Sequence, residues 1–217
     1  MKIVIASDTH SKFNYEVPDA DVFIHCGDWS FTGSVNAVTK FNRFLGNLTH
    51  KHKLYIPGNH ELGMEQNYSL YEEILEKGTN IDGKSIEIDG IKFFGTSTTS
   101  PFGKWAFMLD DEQRKRFWEN APDDIDVVVS HGPPFGLLDT VDGLEIEPGK
   151  LENLGCKYFR KYIERVKPKL ACWGHIHDSY GQMTLKHWDY PHDTLCVNAA
   201  LMNEKYKLVN EPVVVEL

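Results

Sequence analysis

Five short blocks carry the residues whose types and spacing could do chemistry: Asp8-Thr9-His10, Gly27-Asp28, Gly58-Asn59-His60-Glu61, Ser130-His131-Gly132 and Gly174-His175-Ile176-His177. Carboxylate and amide oxygens mixed with imidazole nitrogens, with no cysteine among them, suit a first-row dication at an open site better than a closed structural zinc. Any one block is common, since a lone Asp-x-His is usually a capped turn. Five in succession, with glycines where the backbone must turn tightly, are not. A single site has no use for seven donors. Two sites sharing a bridging carboxylate do, and such metal pairs lie ~3.5–4 Å apart in hydrolases of phosphate esters.

Each block follows a compact, β-rich run, at residues 2–7, 21–26, 52–56, 126–130 and 169–173, which reads as a buried central strand. Between the runs, Val35, Val38, Phe41, Phe44, Leu45 and Leu48 recur at helical spacing, as do Tyr68, Tyr71, Ile74 and Leu75. A third helical pattern runs from Leu151 through Leu154, Tyr158, Tyr162 and Ile163 to Val166. Ile86, Ile88, Ile91 and Phe93 around Asp89-Gly90 signal a hairpin, and residues 182–187, 194–198 and 212–216 form a further antiparallel set. The segment from Gly95 to Asp111, rich in Ser, Thr and aromatics, reads as a functional rim. This alternation predicts an α/β chain whose ligands gather at the carboxyl ends of the strands, in one domain over residues 1–217.

Composition narrows the function classes. The formal charge of −9 and the lack of a basic block argue against an extended nucleic-acid surface, and no apolar run is long enough to span a bilayer. The start of the chain does not read as a secretory signal. Cys26, Cys156, Cys172 and Cys196 show no C-x-x-C spacing and read as reduced, buried thiols, which predicts a cytoplasmic protein.

The order of the five blocks resembles the calcineurin-like metallophosphoesterase superfamily, over nearly the whole chain. Within it, His25-Cys26-Gly27-Asp28, residues 40–48, Gly58-Asn59-His60-Glu61-Leu62, His131-Gly132-Pro133-Pro134, Val197-Asn198-Ala199 and residues 209–215 are similar to the metallophosphoesterase-domain-containing (class III-like) phosphodiesterases. The resemblance implies a four-layer α/β/β/α sandwich, two facing mixed β-sheets flanked by helices. It implies two divalent metal ions, with Mn favoured and Fe, Zn, Ni, Co or Mg possible. Asp8, His10 and His177 would hold the first and Asn59, His131 and His175 the second, with Asp28 bridging. His60 and Asn59 would be the catalytic pair, His60 facing the leaving group as a general acid while a metal-bridging hydroxide attacks phosphorus. Glu61 would either orient the His60 imidazole or supply negative charge to the following helix.

Serine/threonine protein phosphatases share the Gly-Asn-His-Glu block but resemble one another in two arginines that clamp a phosphomonoester dianion. Here Trp29-Ser30-Phe31-Thr32-Gly33 follows Asp28, Pro57 precedes Gly58, and all five arginines (Arg43, Arg114, Arg116, Arg160, Arg165) fall in expected helices. The expected substrate is therefore a small phosphodiester or nucleotide, such as a cyclic nucleotide. A broad phosphomonoesterase and a non-catalytic metal-dependent scaffold remain as alternatives. Phe102, Trp105 and Trp29 are open to two readings, base stacking or packing. His50 and His52 are expected in an exposed turn, His187 and His192 at the surface or in packing, and His25 buried beneath the site. Oligomeric state is not readable from the chain.

Overall fold

The computed structural model describes residues 1–147 and 149–217. Strand β1 (Lys2–Ala6) pairs in parallel with β2 (Val22–His25), which pairs with β3 (His52–Tyr55) and it with β4 (Thr79–Asn80). A second sheet holds β5 (Ser85–Ile88), β6 (Ile91–Thr96), β7 (Val127–Ser130), β10 (Leu170–Trp173), β11 (Gly181–Leu185) and β12 (Thr194–Asn198). Strands β8 (Thr140–Glu147) and β9 (Lys150–Asn153) form a separate hairpin, and β13 (Val213–Glu216) joins the first sheet antiparallel to β1. The sheet orders are β13-β1-β2-β3-β4 and β11-β12-β10-β7-β6-β5, both mixed.

Side chains alternate across each strand, so each sheet has two apolar faces to bury. Ile3, Ile5, Val22, Ile24, Leu54 and Ile56 meet Phe93, Val127, Val129, Leu170, Cys172 and Val197 in the layer between the sheets. The opposite face of the first sheet, with Val4, Phe23 and Tyr55, packs on α1 (Val35–Asn47) and α3 (Tyr68–Ile74) through Val38, Phe41, Leu45 and Tyr71. The opposite face of the second sheet, with Phe94, Val128, Ala171 and Trp173, packs on α4 (Asp111–Asn120) and α5 (Lys157–Val166) through Trp118, Phe159, Tyr162 and Ile163. With the short α2 (Leu62–Gln66) at the top, these layers make the α/β/β/α sandwich that the resemblance implied.

Three sequence expectations fail locally. The helical pattern from Leu151 begins only at Lys157, because Thr140–Glu147 and Lys150–Asn153 pair as the β8–β9 hairpin. Leu144 and Ile146, which alternate with Glu145 and Glu147, were the legible signal for it; both apolar residues stay exposed, so burial gave no reason to look there. The strand near the end of the chain does not join β11 and β12 but crosses back to β1. His50 is buried, its ring N–H donating to the Pro18 carbonyl at 3.0 Å, and His52 is half-buried, since this turn folds down against Phe23. His187 is buried and bonded to Thr194 Oγ1, His25 is fully buried beneath the site, and the four cysteines are free and buried, as expected. No helix among the described residues is long and apolar enough to cross a membrane.

Candidate metal centre

Every chemistry-bearing block sits where a central strand ends. Asp8 and His10 follow β1, Asp28 follows β2, and Asn59, His60 and Glu61 follow β3 on the first sheet. His131 follows β7, and His175 and His177 follow β10 on the second. The backbone accepts strain to aim these side chains: Asp8, His10, Asp28 and His175 all have left-handed φ between 41° and 69°. Such conformations are uncommon outside glycine and gather at functional sites. Glycine is obligatory where two turns touch. A Cβ on Gly174 would lie 2.0 Å from Asp8 Oδ2, and one on Gly58 would lie 2.3 Å from Asp28 Oδ1.

The donors converge in three overlapping groups: Asp8, His10 and His177; Asp28, His131 and His175; and His10, Asp28 and His60. Within the second group His131 Nε2 lies 3.3 Å from Asp28 Oδ1 and 2.8 Å from Asn59 Oδ1, which brings Asn59 to the same centre. Four imidazoles share one orientation rule. Nδ1–H of His10 donates to Ser30 O (3.2 Å), of His60 to Phe31 O (2.8 Å), of His131 to Cys26 O (2.8 Å) and of His177 to Asn203 O (3.1 Å). With Nδ1 committed to a carbonyl, Nε2 faces the cluster, the arrangement that backs metal-bound histidines. Buried Asp8 Oδ1 and His10 Nε2 have no hydrogen-bond partner among the described residues. Two unpartnered buried lone-pair atoms in one cluster fit a cation between them.

The electrostatics agree. Burial opposes charge on Asp8 and Asp28, but His177, His131 and His10 outweigh it and hold both carboxyls well below the usual range. Burial likewise opposes charge on His131 and His177, yet Asp28 lifts the first and Asp8 the second to about 9. Desolvation wins at His10 and His175, each pushed down to about 4, and at His25, pushed to about 3. Until a cation enters, protons on His131 and His177 balance the two carboxylates.

Glu61 and Trp29 each had two readings in the sequence, and the structure shows what their side chains touch. Glu61 does not bond His60 and, although it is the residue at the N-cap of α2, its side chain makes no capping bond: it is fully buried, and its carboxylate takes four donors. Asp28 N–H (2.9 Å) and Gly58 N–H (2.7 Å) reach one oxygen, and Ser30 N–H (3.0 Å) and Ser30 O–H (2.8 Å) reach the other. Glu61 therefore clamps the turn after β2 to the turn after β3, while the Phe31 carbonyl orients His60. Burial and Asp28 push its carboxyl up, and the four hydrogen bonds into it favour its ionised form. Trp29 is not a substrate surface either. It is fully buried and stacked on Phe41 at 4.9 Å with the rings parallel.

The rim does reach the centre. Trp105 stacks on His60 at 4.3 Å and the exposed Phe102 lies 5.2 Å from His175, and both line a cavity of about 420 Å³ that includes Asp28, Asn59 and His177. Sequence reasoning missed Tyr206, which lies 4.9 Å from His10 and 5.7 Å from His177 and lines the same cavity. It also missed Asn198 as an anchor, whose amide donates to Ile176 O between His175 and His177 and accepts from Ala200 N–H. Arg114, set on a helix by the sequence, also lines the cavity.

A four-layer α/β/β/α sandwich with a histidine–aspartate cluster at its strand ends defines a class of metal-dependent hydrolase. The family model described as calcineurin-like phosphoesterase matches residues 1–179. A UPF0046 protein of Caenorhabditis elegans is 32% identical over 229 residues, spanning 99% of this chain and 74% of that one. Human metallophosphoesterase domain-containing protein 1 is 31% identical over 242 residues, spanning 100% of this chain and 71% of that one. A crystal structure from Thermus thermophilus shares the fold at a TM-score of 0.60 and 15% identity, over 91% of this chain and 88% of that one. The chain belongs to the calcineurin-like phosphoesterase family. It is accordingly an enzyme, a metal-dependent phosphoesterase acting on small phosphoesters.

Proposed function

We propose that the protein is a phosphodiesterase for small diesters, with cyclic nucleotides among the candidate substrates, and that residues 1–217 act as one domain. Asp8, His10 and His177 would hold one dication and Asn59, His131 and His175 a second, with Asp28 shared. Mn is the favoured metal by the family resemblance, while the mixed oxygen and imidazole donors suit Fe and Zn as well. Bound dications supply water activation near neutral pH and neutralise charge on the phosphate. The rest falls to this chain. Asp28 and Asn59, both buried, fix the distance between the two donor groups. His60, with Nδ1–H given to Phe31 O and Nε2 3.9 Å from Asp28 Oδ2, would hand the Nε2 proton to the leaving oxygen. Trp105 behind that ring holds it in place and limits water there.

The observation that carries the diester reading is the shortage of cations beside the cluster. Among the residues described as lining the cavity, Arg114 is the one Lys or Arg, and its partner is Asp111 rather than any candidate ligand. A monoester dianion would be held by the metals alone, whereas a diester brings one negative charge less. The reduced, buried thiols support a reducing compartment such as the cytoplasm. The test compares bis-p-nitrophenyl phosphate with p-nitrophenyl phosphate on Mn²⁺-loaded protein and on His60→Ala. The diester should turn over faster, need metal, and lose about 10²-fold or more in the variant. A monoester preference would overturn the diester assignment.

A further inference from the structure

The cavity that holds the candidate ligands also reaches between the helices of the second outer layer. Its wall includes Trp118 of α4 and Phe159 of α5, stacked on each other at 4.3 Å, together with Leu154, Pro133 and Arg114. Arg114 is a costly residue to find there. Its side chain is only 12% exposed, and buried Nε has no hydrogen-bond partner. Its one side-chain hydrogen bond among the described residues runs from Nη2 to Asp111 Oδ1 at 3.1 Å. That carboxylate is not its own: Asp111 also accepts from Tyr158 O–H at 2.8 Å and pairs with Lys157 at 3.2 Å. Two cations share one anion, so the guanidinium keeps surplus charge and free donors beside an apolar wall. A desolvated guanidinium with unused N–H groups is a strong, directional receptor for a planar oxyanion.

We propose that Arg114 is a specificity-determining residue, receiving a carboxylate carried on one ester arm of the substrate. The body of that arm would lie along the half-buried Leu154 and Val141 while the phosphodiester sits at the ligand cluster. A carboxylate fits better than a second phosphate, because one guanidinium that already shares Nη2 balances a monoanion and leaves a dianion uncompensated. The proposal deepens the phosphodiesterase reading and rests on it for the position of the phosphorus. The cation would address the arm, not the reacting phosphate.

The test uses Mn²⁺-loaded full chain and two diesters that differ in one group, 4-nitrophenyl phenyl phosphate and its 4-carboxyphenyl counterpart. The carboxylated diester should show a kcat/KM about tenfold higher, carried by KM, as one charge-assisted pair would give. In Arg114→Gln that ratio should fall to near one, and Arg114→Lys should recover only part of it. A ratio near one in the unaltered protein, or a ratio unchanged in Arg114→Gln because both diesters suffer equally, would overturn the proposal. Calorimetric titration with benzoate and benzamide gives a readout that needs no turnover. Benzoate should bind at least about tenfold more tightly than benzamide and lose that margin in Arg114→Gln; equal benzoate affinity in the variant overturns the subsite. Benzoate binding that depends on Arg114 in a protein that cleaves neither diester would support the subsite and overturn the phosphodiesterase reading instead.

Discussion

The two sheets bring their candidate ligands to one centre but brace them by different means. On the first sheet, the turns carrying Asp28 and Asn59 are tied by a charge: Glu61, buried, with four donors on one carboxylate. On the second, the turn carrying His175 and His177 is tied by a neutral amide, Asn198, through Ile176 O and Ala200 N–H. Across the seam, the Cys26 carbonyl accepts from His131, and Asp8 Oδ2 accepts the His175 N–H at 2.9 Å. A buried charge costs a great deal when its partners are kept and it is removed, while a buried amide costs less. The first half of the centre should therefore be the more rigid and the more vulnerable.

Glu61→Ala is the hardest blow to that contrast. It strands the Asp28, Ser30 and Gly58 donors in the interior, and should cost about 3–5 kcal/mol in chemical denaturation and abolish metal-dependent activity. A loss under about 1 kcal/mol would mean that the clamp is dispensable and the asymmetry is not real. Asn198→Ala should cost about 1–3 kcal/mol and weaken metal uptake chiefly through His175 and His177, seen as a higher metal concentration for half-activation. If it proved as damaging as Glu61→Ala, the two halves would be equivalent.

Acidity sharpens the same comparison. In metal-stripped protein, His10, His175 and His25 have depressed pKa values, so the unfolded chain binds more protons below the ordinary histidine range. Stability should then fall as pH drops from about 6.5 toward 4. His131 and His177 are raised to about 9, so the folded chain binds more protons above 6.5, and stability should fall again as pH climbs through 9. A thermal melt series should peak near pH 6.5. Metal competes for Nε2 of those same two rings, so loading should remove the alkaline decline and release protons. An alkaline decline that persists with metal bound would detach His131 and His177 from the ligand set.

The mildest change is expected at Trp29. Although it adjoins Asp28, it stacks on Phe41 and its Nε1 has no partner, so Trp29→Phe should cost under about 1.5 kcal/mol and leave kcat/KM within about twofold. A large loss of kcat/KM with stability retained would return Trp29 to the substrate surface.

The sequence made the central strands and the donor blocks legible because both are dictated locally. Compact apolar runs mark strands buried on two faces, and a turn that must hold Asp8 against Gly174 leaves a glycine to be seen. What was not legible is what distant segments do to one another. Nothing in Gly-Asn-His-Glu tells that Glu61 faces backbone donors 31–33 residues away rather than its neighbour His60. Tyr206 and Asn198 enter through the crossing of the chain's last third, and Arg114 turns its helix face inward only because α4 packs beside α5. The β8–β9 hairpin escaped because its alternating residues stay exposed.

The central claim is that the strand ends of two sheets build two cation sites that share Asp28, and counting metals tests it most directly. Elemental mass spectrometry on protein saturated with Mn²⁺ and freed of excess should find two ions per chain, falling to one in His131→Ala and in His177→Ala. One ion in the unaltered protein, or two retained in both variants, would contradict the account.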